Sequence, residues 1–152
     1  MLNRLRLMAT LLTLGLFVSA CADGGNDAAG TPPVAAPGDG DIATLMATAD
    51  PARGQVQFLQ CRACHSLEAG GANKVGPNLH GMFGRKAGLA PGFAYSDVLA
   101  QSDVVWTVET LNEWLARPGD FLPGNRMVFV GIRKAADRAD LIAYLQQETG
   151  AE

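Results

Sequence analysis

The sequence predicts an all-α domain of about four to five helices, and three observations in its 152 residues carry that prediction. Helix-start residues recur: Asp50-Pro51, Ser96 and Thr107 stand where N-caps stand, and apolar residues follow the first and the last of these at spacings of three and four. No stretch reads as a strand. Finally, Cys61-Arg62-Ala63-Cys64-His65 has the form Cys-x-x-Cys-His, the pattern for covalent attachment of a c-type haem. A domain of about 100 residues makes a marginal core, and a porphyrin at its centre supplies much of the missing apolar surface.

The chemistry of that motif is local. Two thiols at this spacing can each add to a vinyl group on one porphyrin edge, and the adjacent histidine then lies under the ring with a nitrogen facing the iron. A thioredoxin-like Cys-x-x-Cys belongs beside a βαβ pattern, which is absent here. A structural zinc site needs four ligands, and outside the motif the chain offers only His80 and the distant Cys21. With two cysteines committed to haem, no disulfide is expected.

From the start, residues 1–20 read as a secretory signal: Arg4 and Arg6 precede an apolar run from Leu7 to Val18. That run falls short of the ~20 residues a membrane-spanning helix needs. Val18-Ser19-Ala20-Cys21 resembles the bacterial lipoprotein lipobox, which makes Cys21 a lipidation site and explains the odd thiol. Two or more acyl chains anchor stably, at ~0.8 kcal/mol per buried methylene. Ala22 to Asp41 is Gly, Ala, Pro and Asp with little to bury, so residues 21–50 are expected to be a flexible tether. Twenty such residues have an end-to-end distance of roughly 25 Å and reach about 70 Å when extended. Ile42 to Ala49 reads equally as a weak helical turn or as linker.

The domain proper is expected over 51–152. Asp50 caps a helix opened by Pro51, with Ala52, Val56 and Leu59 forming one apolar face and Gly54 marking a close helix crossing. Ser66 to Ala94 is loop, by its Gly, Asn and Pro content. Ser96 caps a short helix through Ala100. Thr107 caps another, with Leu111, Trp114 and Leu115 on one face and Pro118 ending it. Phe121 to Gly131 is loop. The last helix runs from about Ala135 to Gln147, with Leu141, Tyr144 and Leu145 inward and Gly150 beyond its end. Charge excludes one class of function: the net −3 belongs to the first fifty residues, and from Pro51 onward acids and bases number ten each. Nucleic acid needs a basic patch, and none is present.

The iron's sixth position has four candidate answers from the residues alone: Met82, Met127, His80 or nothing. At this point the chain resembles the class I cytochromes c, in the branch of mitochondrial cytochrome c and bacterial cytochrome c₂. The resemblance rests on Gly76-Pro77-Asn78-Leu79-His80-Gly81-Met82-Phe83-Gly84-Arg85, Pro91-Gly92-Phe93-Ala94-Tyr95-Ser96, Trp106, Pro123-Gly124-x-x-Met127-x-Phe129-x-Gly131 and Asp140-Leu141-Ile142-Ala143-Tyr144-Leu145. It covers nearly all of 51–152.

The resemblance implies a cytochrome c fold around one covalent haem c, held by thioethers from Cys61 and Cys64, with His65 and Met127 as axial ligands. Pro77 would accept the other ring N–H of His65, an outer bond that fixes the imidazole's tautomer. Tyr95, Trp106 and Arg85 would meet the haem propionates, since buried carboxylates need donors. Gly54, Phe58, Leu141 and Tyr144 would form the crossing of first and last helices. Met82 reads as apolar filler, and His80 as a solvent-facing residue. Three positions depart from the family: Trp114 replaces a common tyrosine behind the methionine, Leu99 a polar residue near the inner propionate, and Asn125 a threonine beside Met127. The lysine ring is thinned to Arg62, Lys74, Arg126, Arg133 and Lys134, with Gly119 and Asp120 in place of two bases, so steering toward an acidic partner is expected to be weaker.

The implied role is an electron carrier and not an enzyme. It would be a monomer, lipid-anchored to a membrane of a bacterial envelope and facing the periplasm. Its donor would be of the quinol–cytochrome c reductase type; its acceptor would be a terminal oxidase, a photosynthetic reaction centre or a periplasmic reductase. The alternatives are a fixed subunit of an oxidase or dehydrogenase, or an open-iron peroxidase or gas sensor.

Overall fold

A computed structural model describes residues 40–150, which belong to one compact unit. The expected signal segment, the lipidation site at Cys21 and the greater part of the expected tether lie outside the described residues. Six helices are formed among the described residues: α1 (Ile42–Met46), α2 (Pro51–Phe58), α3 (Asp97–Ala100), α4 (Val108–Ala116), α5 (Pro118–Phe121) and α6 (Ala135–Thr149). No strand is formed among them; the one isolated bridge joins Lys86 to Val105. None of these helices is long and apolar enough to cross a membrane.

The caps form where local chemistry calls for them. The Asp50 carboxylate accepts from the Ala52 amide at 2.9 Å, and Pro51 gives up no useful donor at the first helical position. Thr107 and Thr110 form a reciprocal capping box at the start of α4. Gly150 closes α6 at φ 73°, a conformation without penalty for glycine. Pro118 ends α4, as expected, but it also opens α5, a short helix that was not expected and that takes in Phe121, the expected start of a loop.

The crossing of α2 and α6 is the main packing joint. A Cβ at Gly54 would overlap the carbonyl of Asp140 and come within 2.7 Å of the Tyr144 Cβ, so only glycine permits this approach. Phe58 packs beside it, its ring 5.6 Å from that of Tyr144. The approach decides which side of α2 is inward, and it overturns the expected face. Gly54 and Phe58 are buried, whereas Ala52, Val56 and Leu59 face solvent, Val56 being 63 % exposed. An ion cluster fastens the same joint: buried Asp140 accepts from the Asp50 amide at 2.7 Å and from Arg53 Nε at 2.7 Å.

Residues 42–46 resolve the choice between turn and linker in favour of a helix, and they correct the expectation that the tether runs to residue 50. Ile42 is buried, Leu45 and Met46 pack against the core, and α1 lies on α4 and α6. A helix of one turn cannot hold itself; its apolar stripe against its neighbours does so.

Candidate functional site

The helices and loops enclose a cavity of about 520 Å³, within the range of small-molecule sites. Its wall is mainly apolar and includes Leu79, Leu99, Leu111, Leu115, Leu141 and Leu145. It brings together Cys61, Cys64, His65 and Met127 from two separate stretches of chain, with Pro77, Arg85, Tyr95, Trp106, Trp114 and Asn125.

Cys61, Cys64 and His65 follow directly from α2. The chain continues in turns there, with amides of Cys61, Cys64 and His65 donating to carbonyls of Phe58 and Cys61 at 2.8–3.0 Å. Neither Cys61 nor Cys64 is engaged in a disulfide. Burial, then the neighbouring Cys64, pushes the Cys61 thiol up to about 11. The His65 ring is held by its Nδ1, 2.8 Å from the Pro77 carbonyl, which makes Nδ1 the protonated nitrogen and leaves Nε2 as a lone-pair donor. Burial lowers the His65 pKa, the Pro77 bond opposes this, and the Lys74 charge lowers it further. The ring is therefore neutral, the state that binds a metal.

Gly76 completes the seat. A Cβ there would come within 2.8 Å of both ring nitrogens of His65 and nearer still to Cε1. The loop backbone lies flat on the imidazole only because this residue has no side chain.

Met127 is positioned by Asn125. The asparagine Nδ2 donates to the carbonyls of Pro118 and Leu122, both at 2.8 Å, and its Oδ1 accepts from the Met127 amide at 2.9 Å. In the same wall Trp114 is buried, edge-on to Trp106 at 5.5 Å and to Phe121 at 6.0 Å. Trp114 thus contributes a rigid aromatic wall.

The polar rim of the cavity is small. The Tyr95 hydroxyl accepts from the Ala90 amide at 3.3 Å and keeps its own proton to donate; burial raises its pKa against the pull of that amide and of Arg85. Arg85 Nη1 donates to the His80 carbonyl at 3.2 Å, with its remaining N–H groups available. Among the described residues, Ser96 Oγ alone is a buried side-chain oxygen or nitrogen without a hydrogen-bond partner. It lies in this wall beside Tyr95 and makes no side-chain cap on α3, although the sequence reading made it a cap only. An orphaned hydroxyl of this kind is unfavourable unless the occupant satisfies it, so an apolar plate with carboxylates at one edge fits the cavity.

Met82 is buried in the wall, as a filler should be. His80 departs from the expected solvent-facing position: it is half-buried, its Nδ1 3.2 Å from the Leu67 carbonyl, and it does not line the cavity. The sequence reading missed the roles of Gly76 and Ser96, although both stand in the quoted runs. A glycine beside Pro77 was the available signal for the first; nothing marked the second.

An all-α domain with a Cys-x-x-Cys-His segment opening onto one deep apolar cavity defines a monohaem c-type domain. Comparison with known proteins gives the family. The chain belongs to the cytochrome c family, whose model, Cytochrome c, matches residues 51–149. It is 52 % identical over 101 residues to cytochrome c of Chlamydomonas reinhardtii, which covers 66 % of this chain and 90 % of that protein. It is 42 % identical over 109 residues to cytochrome c of Arabidopsis thaliana, covering 71 % and 97 %. With cytochrome c2 of Blastochloris viridis the identity is 45 % over 101 residues, covering 66 % and 80 %. The protein carries one covalent haem c and is an electron-transfer protein, not an enzyme.

Proposed function

We propose that the protein is a membrane-tethered electron carrier of a bacterial envelope, with thioethers at Cys61 and Cys64 and axial ligands His65 and Met127. The observation that carries the ligand assignment is that Cys61, Cys64, His65 and Met127 line one apolar cavity, with His65 fixed on Pro77 and the Met127 amide on Asn125.

When bound, haem supplies an iron that takes up and releases a single electron. The chain sets the terms. Met127 offers a soft neutral sulfur, a ligation that raises the potential. The leucine-rich wall disfavours the extra charge of the ferric state. Pro77 and Gly76 hold the imidazole in one orientation, and Asn125 holds the methionine loop, so the site changes little between oxidation states. Ser96, Tyr95, Arg85 and Trp106 would supply the donors that hold the propionates. Electrons pass at the cavity mouth near Cys61 and Cys64.

The lipidated Cys21 and the segment after it would hold the domain at a periplasmic membrane face. There the tether raises the effective concentration of partners in the same membrane. The donor is a quinol–cytochrome c reductase type of complex; the acceptor is a terminal oxidase, reaction centre or periplasmic reductase. The similarity to a bacterial cytochrome c2 supports an envelope location.

Optical spectra of the haem-loaded chain in both redox states, beside Met127→Ala, test the ligand set. A weak far-red sulfur-to-iron band in the ferric wild type, lost in the variant, is expected. A ferric wild type without that band, whose ferrous form readily takes up carbon monoxide, would replace the carrier by an open-iron protein.

A further inference from the structure

We propose that Lys74 is a positioning residue of the haem site: its ammonium group clamps the turn that carries Cys61, Cys64 and His65, and its charge, held there, raises the reduction potential of the iron. This rests on the reading that His65 is an axial ligand of an electron carrier, and it adds what holds that ligand's backbone and sets part of its field.

The first observation is the hydrogen bonding of the turn. Where helical turns stop, carbonyls are left without amide partners, and the turns that follow α2 stop at His65. The segment 74–79 meets the carbonyls of residues 62, 64, 65 and 66. The Gly76 amide donates to the Cys64 carbonyl and the Leu79 amide to the Ser66 carbonyl, both at 2.9 Å. The carbonyls of Arg62 and His65 fall to a side chain: Lys74 Nζ donates to them at 2.8 and 3.0 Å. Lys74 is itself placed by its backbone, whose amide donates to the Gly76 carbonyl at 2.9 Å, one residue before Pro77 accepts from the His65 ring. His65 is thus gripped twice by one short segment, at its ring by Pro77 and at its carbonyl by Lys74.

The second observation is what fastens the charge. Arg53, Lys86 and Arg117 are fastened by carboxylates, which bring an opposing charge with them. Lys74 is fastened by neutral carbonyls, and no ion pair to it forms among the described residues. Glu68 and Glu148 line the same outer cleft as Lys74, and they stay in place in every variant below. Bonds to carbonyls leave the unit charge of the ammonium intact, and the negative end of the helical segment favours a cation there. Oxidation adds positive charge to the iron, so a cation fixed at the ligand's own carbonyl opposes it by Coulomb repulsion and favours the ferrous state. Lys74 is exposed, so water and salt screen the effect. The expected size is about threefold in the ferrous-to-ferric equilibrium, or about 30 mV at about 59 mV per factor of ten for one electron.

Potentiometric titration of the haem-loaded full chain tests this, with Cys21→Ser in every form so that no acyl anchor or stray thiol interferes. Lys74→Met should lower the ferrous-to-ferric equilibrium about threefold. Lys74→Cys should do the same and allows the charge to be put back. Alkylation of its thiol with 2-bromoethylamine rebuilds an ammonium side chain of nearly the same length and should restore the wild-type potential. Alkylation with iodoacetamide, which adds a neutral amide, should not. The clamp has its own readout. In ferrous protein followed by NMR, the His65 Nδ1 proton should exchange with solvent about tenfold faster in Lys74→Met, for the loss of two exposed hydrogen bonds.

A Lys74→Met potential within about 1.3-fold of the wild type in equilibrium constant, or equal restoration by both alkylations, would overturn the proposal while leaving the carrier reading intact. Unchanged exchange of the His65 proton beside a lowered potential would overturn the clamp. Absence of a reversible one-electron couple in the wild type would remove the carrier reading and the proposal together.

Discussion

Asn125→Ala isolates what holds the methionine loop. Three hydrogen bonds converge on this side chain: two to the carbonyls of Pro118 and Leu122 at 2.8 Å and one from the Met127 amide at 2.9 Å. A typical hydrogen bond contributes about 0.5–1.5 kcal/mol net. The site is part-buried, so water partly replaces the lost partners, and the sum falls at about 2 kcal/mol, the low end of three such bonds. The loss bears on the segment carrying Met127, and at 1.4 kcal/mol per factor of ten it corresponds to about a 30-fold larger population with the methionine detached. The assay is competition. Added imidazole displaces the methionine sulfur from ferric protein, read by loss of the far-red band, and its apparent affinity should rise about 30-fold in the variant. Unchanged imidazole affinity beside a normal fall in global stability would refute the reasoning, because the asparagine would then support the fold without governing the ligand.

Two further predictions concern the frame around the site. Asp140→Asn should lower stability at neutral pH by about 1–3 kcal/mol, through loss of charge-assisted bonds to a buried carboxylate. Burial pushes the Asp140 carboxyl up, but the Arg53 hydrogen bond, the Asp50 amide and the Arg53 charge outweigh it and hold its pKa below the ordinary value. A depressed folded pKa gives stability that is complete above the unfolded value of about 3.9 and is lost as pH falls through the folded value. Denaturant midpoints followed into acid should therefore fall more steeply below about pH 4 for the wild type than for the variant; parallel curves would exclude Asp140 as the titrating group. Ile42→Ala should cost about 2 kcal/mol in chemical denaturation, through lost packing of α1 on α4 and α6. A change within about 0.5 kcal/mol would return residues 42–46 to the linker.

What could be read from the chain alone is what depends on near neighbours. The capping of α2 by Asp50, of α4 by Thr107 and of α6 by Gly150 needs only residues within one turn. The Cys-x-x-Cys-His segment carries its chemistry in five consecutive residues, and together with the family pattern it gave the all-α class and the covalent haem c. Gly54 even announced a close crossing. The side that α2 turns inward was not legible, because the carbonyl of Asp140 selects the glycine face over the more apolar stripe of Ala52, Val56 and Leu59. Nor was α1, a single turn that exists only against α4 and α6. The polar joints were equally hidden: the charge on Asp140 is tolerable in the interior because Arg53 and the Asp50 amide meet it there, and Asn125 governs Met127 through carbonyls seven and three residues upstream. Composition and motif determined which cofactor this protein carries. Long-range packing, whose energies depend on partners far away in the chain, decided which surfaces close around it.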